Sequence, residues 1–206
     1  MESTLRAGAD APGLKLIETF APGSPRLALH RARMAGSSAT LGWRFDAGGF
    51  DAAVLGADPA LRARVTLTAQ GVFTLDQSPL PAATSPWRLG LAVMRLTSGD
   101  PWLRVKSSHR PAYDAARAAL RCDLDEVVLQ NERGEVCDGS ISTLFFDRGQ
   151  GLRTPPLACG LLPGVLRAHL ACPEEVLATR ELPQVRLWVG NSLRGLIPAI
   201  WSDPEQ

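Results

Sequence analysis

The segment RARVTLTAQGVFTLD constrains the fold more than any other part of the chain. Val65 and Leu67 alternate with polar neighbours, Gln70-Gly71 interrupts the run, and Val72 and Leu75 resume it. A period of two places alternate side chains on opposite faces of a strand. Two such runs about a glycine-containing turn form a β-hairpin with one face to be covered.

The preceding sequence supplies elements to cover it. Residues 14–20 (LKLIETF) read as a strand, and the APGSP that follows is a turn. Over residues 29–41 the apolar spacing and the alanines predict a helix ending at Gly42, and His30 and Arg33, three apart, share one of its faces. A Gly- and Ala-rich stretch then holds a short helix. Beyond the hairpin, Pro79, Pro81 and Pro86 interrupt regular structure ahead of a strand at residues 89–96. The turn-forming TSGDP of residues 97–101 is the expected domain boundary, giving an N-terminal α/β domain of residues 1–97 and a C-terminal domain of residues 98–206. In the second domain YDAARAALR is helical. Residues 125–130 and 140–146 are two strands of a hairpin turning at Arg133-Gly134. A helix begins at Pro163, which suits a first turn. RLWVGNSLRGLIPAIW gives a last strand, a loop at residues 190–192 and a tail.

Composition excludes several classes of function. With 45% hydrophobic and 21% charged residues among 206, the chain can bury a sizeable core. A formal net charge of +1 gives no reason to expect a nucleic-acid or membrane-surface partner. The N-terminus lacks the pattern of a signal peptide, and no apolar run reaches the ~18 residues of a membrane span, so the expected compartment is the cytoplasm. Four scattered cysteines without a CxxC pair, and three dispersed histidines, do not make a zinc site. In a reducing compartment the cysteines read as small buried residues, and no metal is expected.

Lysine usage is more telling. Only Lys15 and Lys106 occur, although arginine is abundant. Arginine can replace lysine on a surface, but a Schiff base requires a primary amine. Lys106 opens a stretch, RVKSSHRPAYDAAR through NERGEVCDGSISTLFF, that also carries a carboxylate at Asp138. An amine for an aldehyde, a carboxylate for a pyridine nitrogen, and an arginine with helix-start amides for a phosphate are the groups that pyridoxal phosphate needs.

The segments KSSHRPAYDAAR, NERGEVCDGSISTLFF, TPPL-x-CGLLPGVLR and NSLRG, in that order, resemble the class IV aminotransferase family of fold-type IV pyridoxal phosphate enzymes, and within it 4-amino-4-deoxychorismate lyases most of all. The likeness covers residues 14–200. It implies an α+β, two-domain fold of the D-amino acid aminotransferase-like kind, pyridoxal 5'-phosphate as cofactor, and a homodimer. By position, Lys106 carries the cofactor and acts as base and acid at Cα. Arg33 holds the phosphate together with the amides of Ile141, Ser142, Val165 and Leu166 beside Gly164, and Asp138 faces the pyridine nitrogen. Arg110 and Tyr113 are candidates for contacting an amino-acid-type substrate, with a salt bridge to Asp114 as the alternative role of Arg110. The family has glutamate where Asp138 stands, which shortens the reach by roughly 1.5 Å. It often has a hydroxyl residue where Leu166 stands, and asparagine in place of Thr143. Three functions are implied: a lyase releasing 4-aminobenzoate and pyruvate for folate synthesis, a transaminase of D- or branched-chain amino acids, and a cofactor-binding protein with little catalysis.

Overall fold

The structure, a computed structural model, describes residues 2–82 and 86–202. It divides into two compact units, Met1–Ala82 with Arg104–His109, and Ala83–Leu103 with Arg110–Gln206. The division therefore falls near residue 82 and not in the 97–101 turn, and a short segment carrying Lys106 returns to the first unit. The reason is that residues 87–96, just ahead of that turn, form an interior strand of the second unit's sheet.

In the first unit α1 (Glu2–Gly8) precedes β1 (Lys15–Phe20), α2 (Leu27–Leu41), α3 (Ala47–Leu55), β2 (Leu61–Thr68) and β3 (Phe73–Pro79). The three strands form an antiparallel sheet in the order β1-β2-β3. The hairpin expected from its alternation is β2–β3, with Val65 opposite Leu75. One face of the sheet carries Leu16, Phe20, Ala63, Val65 and Leu67, all buried. Phe50 of α3 packs tilted against Phe20 and edge-on against Phe73, an arrangement that adds to the burial of large rings. The predicted end of α2 is observed. Gly42 adopts φ 75, its amide bonds Ala39 O, and the Trp43 amide bonds Ser38 O. This is a Schellman close, which favours glycine because only glycine enters the left-handed region without a Cβ penalty.

The second unit holds β4 (Trp87–Leu96), α4 (Pro111–Ala118), β5 (Glu126–Asn131), β6 (Val136–Gly139), β7 (Thr143–Asp147), α5 (Val165–Leu170), β8 (Arg186–Asn191) and β9 (Gly195–Trp201). Its six strands run in the order β6-β5-β4-β9-β8-β7, with β4 parallel to both neighbours and the outer pairs antiparallel. Every residue of β5 is buried, as expected of a strand covered on both faces. One core cluster gathers Val128, Val136, Leu144 and Val189, and another gathers Val127, Leu129, Cys137 and Leu161. Two expectations change. β5 turns back into β6, and β7, expected as its hairpin partner, pairs with β8 at the far side of the sheet. The expected tail is strand β9, with Pro198 opposite Trp188. Among the cysteines, Cys137 and Cys159 are buried, but Cys122 is exposed and Cys172 is intermediate.

Candidate active site

Within the first unit, the lysine and the candidate phosphate arginine are built against the same strand. The Ile17 amide donates to Lys106 O at 2.9 Å, Leu16 bridges to Ser107, and the Ser108 amide donates to Lys15 O at 2.8 Å. The segment around Lys106 thus lies along the edge of β1 and is tied down by main-chain bonds at the lysine carbonyl and at Ser108. The next residue of β1, Glu18, is 1% exposed and faces α2. Its Oε2 lies 2.6 Å from His30 Nδ1, while Arg33 donates through Nε at 2.8 Å and Nη2 at 2.6 Å. Burial alone would raise the pKa of Glu18, but the charge of Arg33 and the bonds from His30 and Arg33 outweigh it, so the carboxyl titrates below its ordinary value. A two-point guanidinium–carboxylate pair fixes the guanidinium plane. Glu18 was not foreseen as a site residue. Its signal is a carboxylate between Leu16 and Phe20 on the apolar side of the strand, and a carboxylate buried there must find a partner.

Within the second unit, Asp138 is buried on β6 at 4% exposure. Between the paired positions Val128↔Gly139 and Gln130↔Val136, β6 carries one residue more than β5. That irregularity is a β-bulge, which turns side chains away from simple alternation. Cys137 joins the core cluster against which Tyr113 of α4 packs. The Tyr113 hydroxyl is buried and has no hydrogen-bond partner among the described residues. Burial, then the nearby charge of Asp138, push its pKa well above 10.0. Arg110 lies 5.2 Å from the Tyr113 ring centroid, donates to Asp114 Oδ1 at 2.8 Å, and donates to Ser140 O at 2.6 Å. The alternative role of Arg110, a buried salt bridge with Asp114, is met only in part: the pair forms, but Asp114 is exposed. The Cys137 thiol, raised by burial, and that of Cys159, pushed up to about 12, are not thiolate nucleophiles at neutral pH.

The loop after Asp138 differs from expectation. The Ile141 amide, expected on a phosphate, donates to Glu126 Oε2 at 3.1 Å, and the Ser142 hydroxyl donates to the same oxygen at 2.8 Å. A carboxylate buried at 0% exposure needs donors, and this loop supplies them. At α5, Val165 and Leu166 occupy the first turn and are buried at 4% and 3%. A Cβ on Gly164 would lie 2.7 Å from Thr143 Oγ1, and one on Gly190 would lie 2.6 Å from Leu166 Cδ2. Glycines at both positions let the start of α5 lie close against β7 and β8.

These residues fit pyridoxal phosphate by their donor chemistry. The first unit carries a tethered primary amine and an oriented guanidinium, and the second a buried carboxylate and a closely seated helix start. Among the described residues, no group of three or more His, Cys, Asp or Glu gathers to hold a metal. A fold of two such units bearing these groups defines a pyridoxal phosphate-dependent enzyme. The amino-transferase class IV family profile matches residues 16–200, and the chain belongs to that family. A solved structure of a Mesorhizobium loti protein, assigned provisionally as an amino-acid aminotransferase, is 42% identical, with a TM-score of 0.85 over 92% of this chain and 100% of that one. The 4-amino-4-deoxychorismate lyase of Pseudomonas aeruginosa is 23% identical, with a TM-score of 0.80 over 95% of this chain and 85% of that one. A Thermotoga maritima protein, assigned provisionally as a branched-chain amino acid aminotransferase, is 22% identical, with a TM-score of 0.79 over 100% and 82%. No curated protein sequence is matched.

Proposed function

We propose that this enzyme uses Lys106 to move the Cα proton of a small amino-acid-type substrate, and that it is a 4-amino-4-deoxychorismate lyase yielding 4-aminobenzoate and pyruvate. The observation that carries the assignment of Lys106 is its tethering to β1 at Ile17, one residue from the carboxylate that grips Arg33. Pyridoxal phosphate, when bound, supplies an electron sink for the pair left at Cα. Lys106 then holds the aldehyde and, once released from it, carries the proton. Arg33 anchors the phosphate, oriented by Glu18. Asp138 keeps the ring nitrogen protonated from a buried position, where a carboxylate interacts more strongly than in water. The lyase reading rests on the K-x-x-x-R-x-x-Y-D block from Lys106 to Asp114 and on the NSLRG segment of residues 191–195. A cytoplasmic homodimer belongs to this reading.

A second reading, a transaminase passing the amino group to a 2-oxo acid, is favoured by the 42% identity to the Mesorhizobium loti protein. Both readings share the proton transfer by Lys106 and part afterwards. The first measurement is the absorbance of purified protein with pyridoxal phosphate, before and after borohydride. A band at about 410–430 nm that is trapped by reduction in wild type and missing in Lys106→Ala is expected for lysine-bound cofactor. Its absence in wild type refutes the assignment of Lys106. Loaded protein is next offered aminodeoxychorismate, with 4-aminobenzoate and pyruvate measured, and in parallel a panel of D- and branched-chain amino acids with a 2-oxo acid. Release of 4-aminobenzoate supports the lyase, and amino transfer without it supports the second reading.

A further inference from the structure

Glu126 is a buried carboxylate for which neither cofactor nor substrate provides a use. It opens β5 at 0% exposure. Its Oε1 accepts from the Val127 amide at 3.0 Å, the Ser140 amide at 3.0 Å and the Ser140 hydroxyl at 2.5 Å. Its Oε2 accepts from the Ile141 amide at 3.1 Å and the Ser142 hydroxyl at 2.8 Å. Arg117 Nη1 stands 3.8 Å away, at the edge of ion-pair range. Successive amides with flanking hydroxyls are the donor arrangement of an anion-binding nest. Here the anion is the protein's own.

Several further peptide groups of this loop are also occupied. The Gly139 amide donates to Ser142 O at 2.7 Å, closing the turn. Ser140 O accepts from Arg110, and Ile141 O accepts from Asn191 Nδ2 at 3.1 Å. A Cβ at Gly139 would lie 3.0 Å from the Glu126 carboxyl, so the backbone approaches Glu126 as closely as glycine permits. This loop begins two residues after Asp138, and Asp138 sits on the bulged stretch of β6. Bulge and loop together decide where a short carboxylate points.

We propose that Glu126 is the positioning residue for Asp138: by binding the 140–142 loop as an internal anion, it sets how far the aspartate reaches. The inference rests on the reading in which Asp138 partners the cofactor's ring nitrogen. Aspartate gives up roughly 1.5 Å of reach relative to glutamate, which makes the placement of its backbone the quantity that must be right. Supporting hydrogen bonds of this kind commonly hold a functional group in its productive orientation, and a site 1 Å too loose loses function.

The test uses full-length protein loaded with pyridoxal phosphate isotope-labelled at the ring nitrogen, whose NMR shift reports protonation of that atom. Three variants are compared with wild type: Asp138→Asn, Glu126→Gln and Ser142→Ala. Glutamine keeps the shape of Glu126 but turns an NH2 group toward donors. The expected result is that Asp138→Asn moves the resonance toward the unprotonated position and Glu126→Gln moves it part of the way. The dissociation constant of the cofactor should rise about tenfold in Glu126→Gln, and Glu126→Gln should add nothing in the Asp138→Asn background. Ser142→Ala removes one donor and should shift the resonance less in the same direction, which decides the matter if Glu126→Gln does not fold. A wild-type resonance in Glu126→Gln or in Ser142→Ala, with only the melting temperature lowered, would overturn the proposal and leave Glu126 a purely structural residue. A wild-type resonance in Asp138→Asn would instead refute the reading of Asp138, a separate failure.

Discussion

Tyr113 is the only tyrosine in the chain, so any tyrosinate signal belongs to it. Its hydroxyl is buried without a partner among the described residues, a condition that costs about 1–3 kcal/mol. Tyr113→Phe removes the orphaned group with little change of shape, and the cofactor-free variant should melt higher than wild type, as scanning calorimetry would show. Should a ligand group satisfy the phenol, that gain would shrink or reverse on loading. The pH dependence follows from the raised pKa. The folded state keeps the phenol proton where the unfolded state, with an ordinary value near 10, releases it. Stability is therefore unaffected below pH ~10 and falls as pH rises above it toward the folded value. Tyrosinate absorbance should rise only with unfolding, and Tyr113→Phe should lose less stability in that alkaline window. A tyrosinate signal appearing in folded protein at pH ~10 contradicts this account.

The elements differ in how plainly the sequence announced them. The β2–β3 hairpin and the end of α2 were legible because their signals are local: alternation about Gln70-Gly71 in one case and Gly42 in the other. β9 was not, because Pro198 argues against a strand and its partners lie in β8 and, across a long separation, in β4. The pairing of β7 with β8 was equally hidden, since adjacency in sequence favoured β5. Likewise the motifs pointed to Lys106, Arg33 and Asp138, while Glu18 and Glu126, which hold the surroundings of Arg33 and Asp138 in shape, carry no motif and become visible only through their burial and bonds. Gly190 belongs to the same class. A Cβ there meets the Gly195 carbonyl, fixed in the β8–β9 ladder, and Leu166 of α5. Gly190→Ala should cost about 2–3 kcal/mol by overpacking and lower the melting temperature by roughly 5–10 °C. An unchanged melting curve would mean that strand and helix separate more easily than this packing implies.

At the scale of the whole molecule, no helix among the described residues is long and apolar enough to cross a membrane. Each unit has its own sheet, yet the first is not continuous in sequence, because Arg104–His109 completes it from beyond β4. That excursion has a consequence for the order in which the molecule is made. A ribosome delivers β1, β2 and β3 long before the segment that covers the outer edge of β1. Until residue 109 has emerged, the Ile17 amide and the Lys15 carbonyl have no strand to meet, and an uncovered edge invites pairing with other chains. Arrested nascent chains that expose residues 1–82 alone should be cut readily near β1 by added protease, and chains extended past residue 109 should resist. Equal cleavage at both lengths would show that the edge needs no cover. On this account the lysine proposed to serve the chemistry also arrives on the last segment to join the N-terminal unit, so a chain acquires Lys106 and the cover of the β1 edge at the same moment of synthesis.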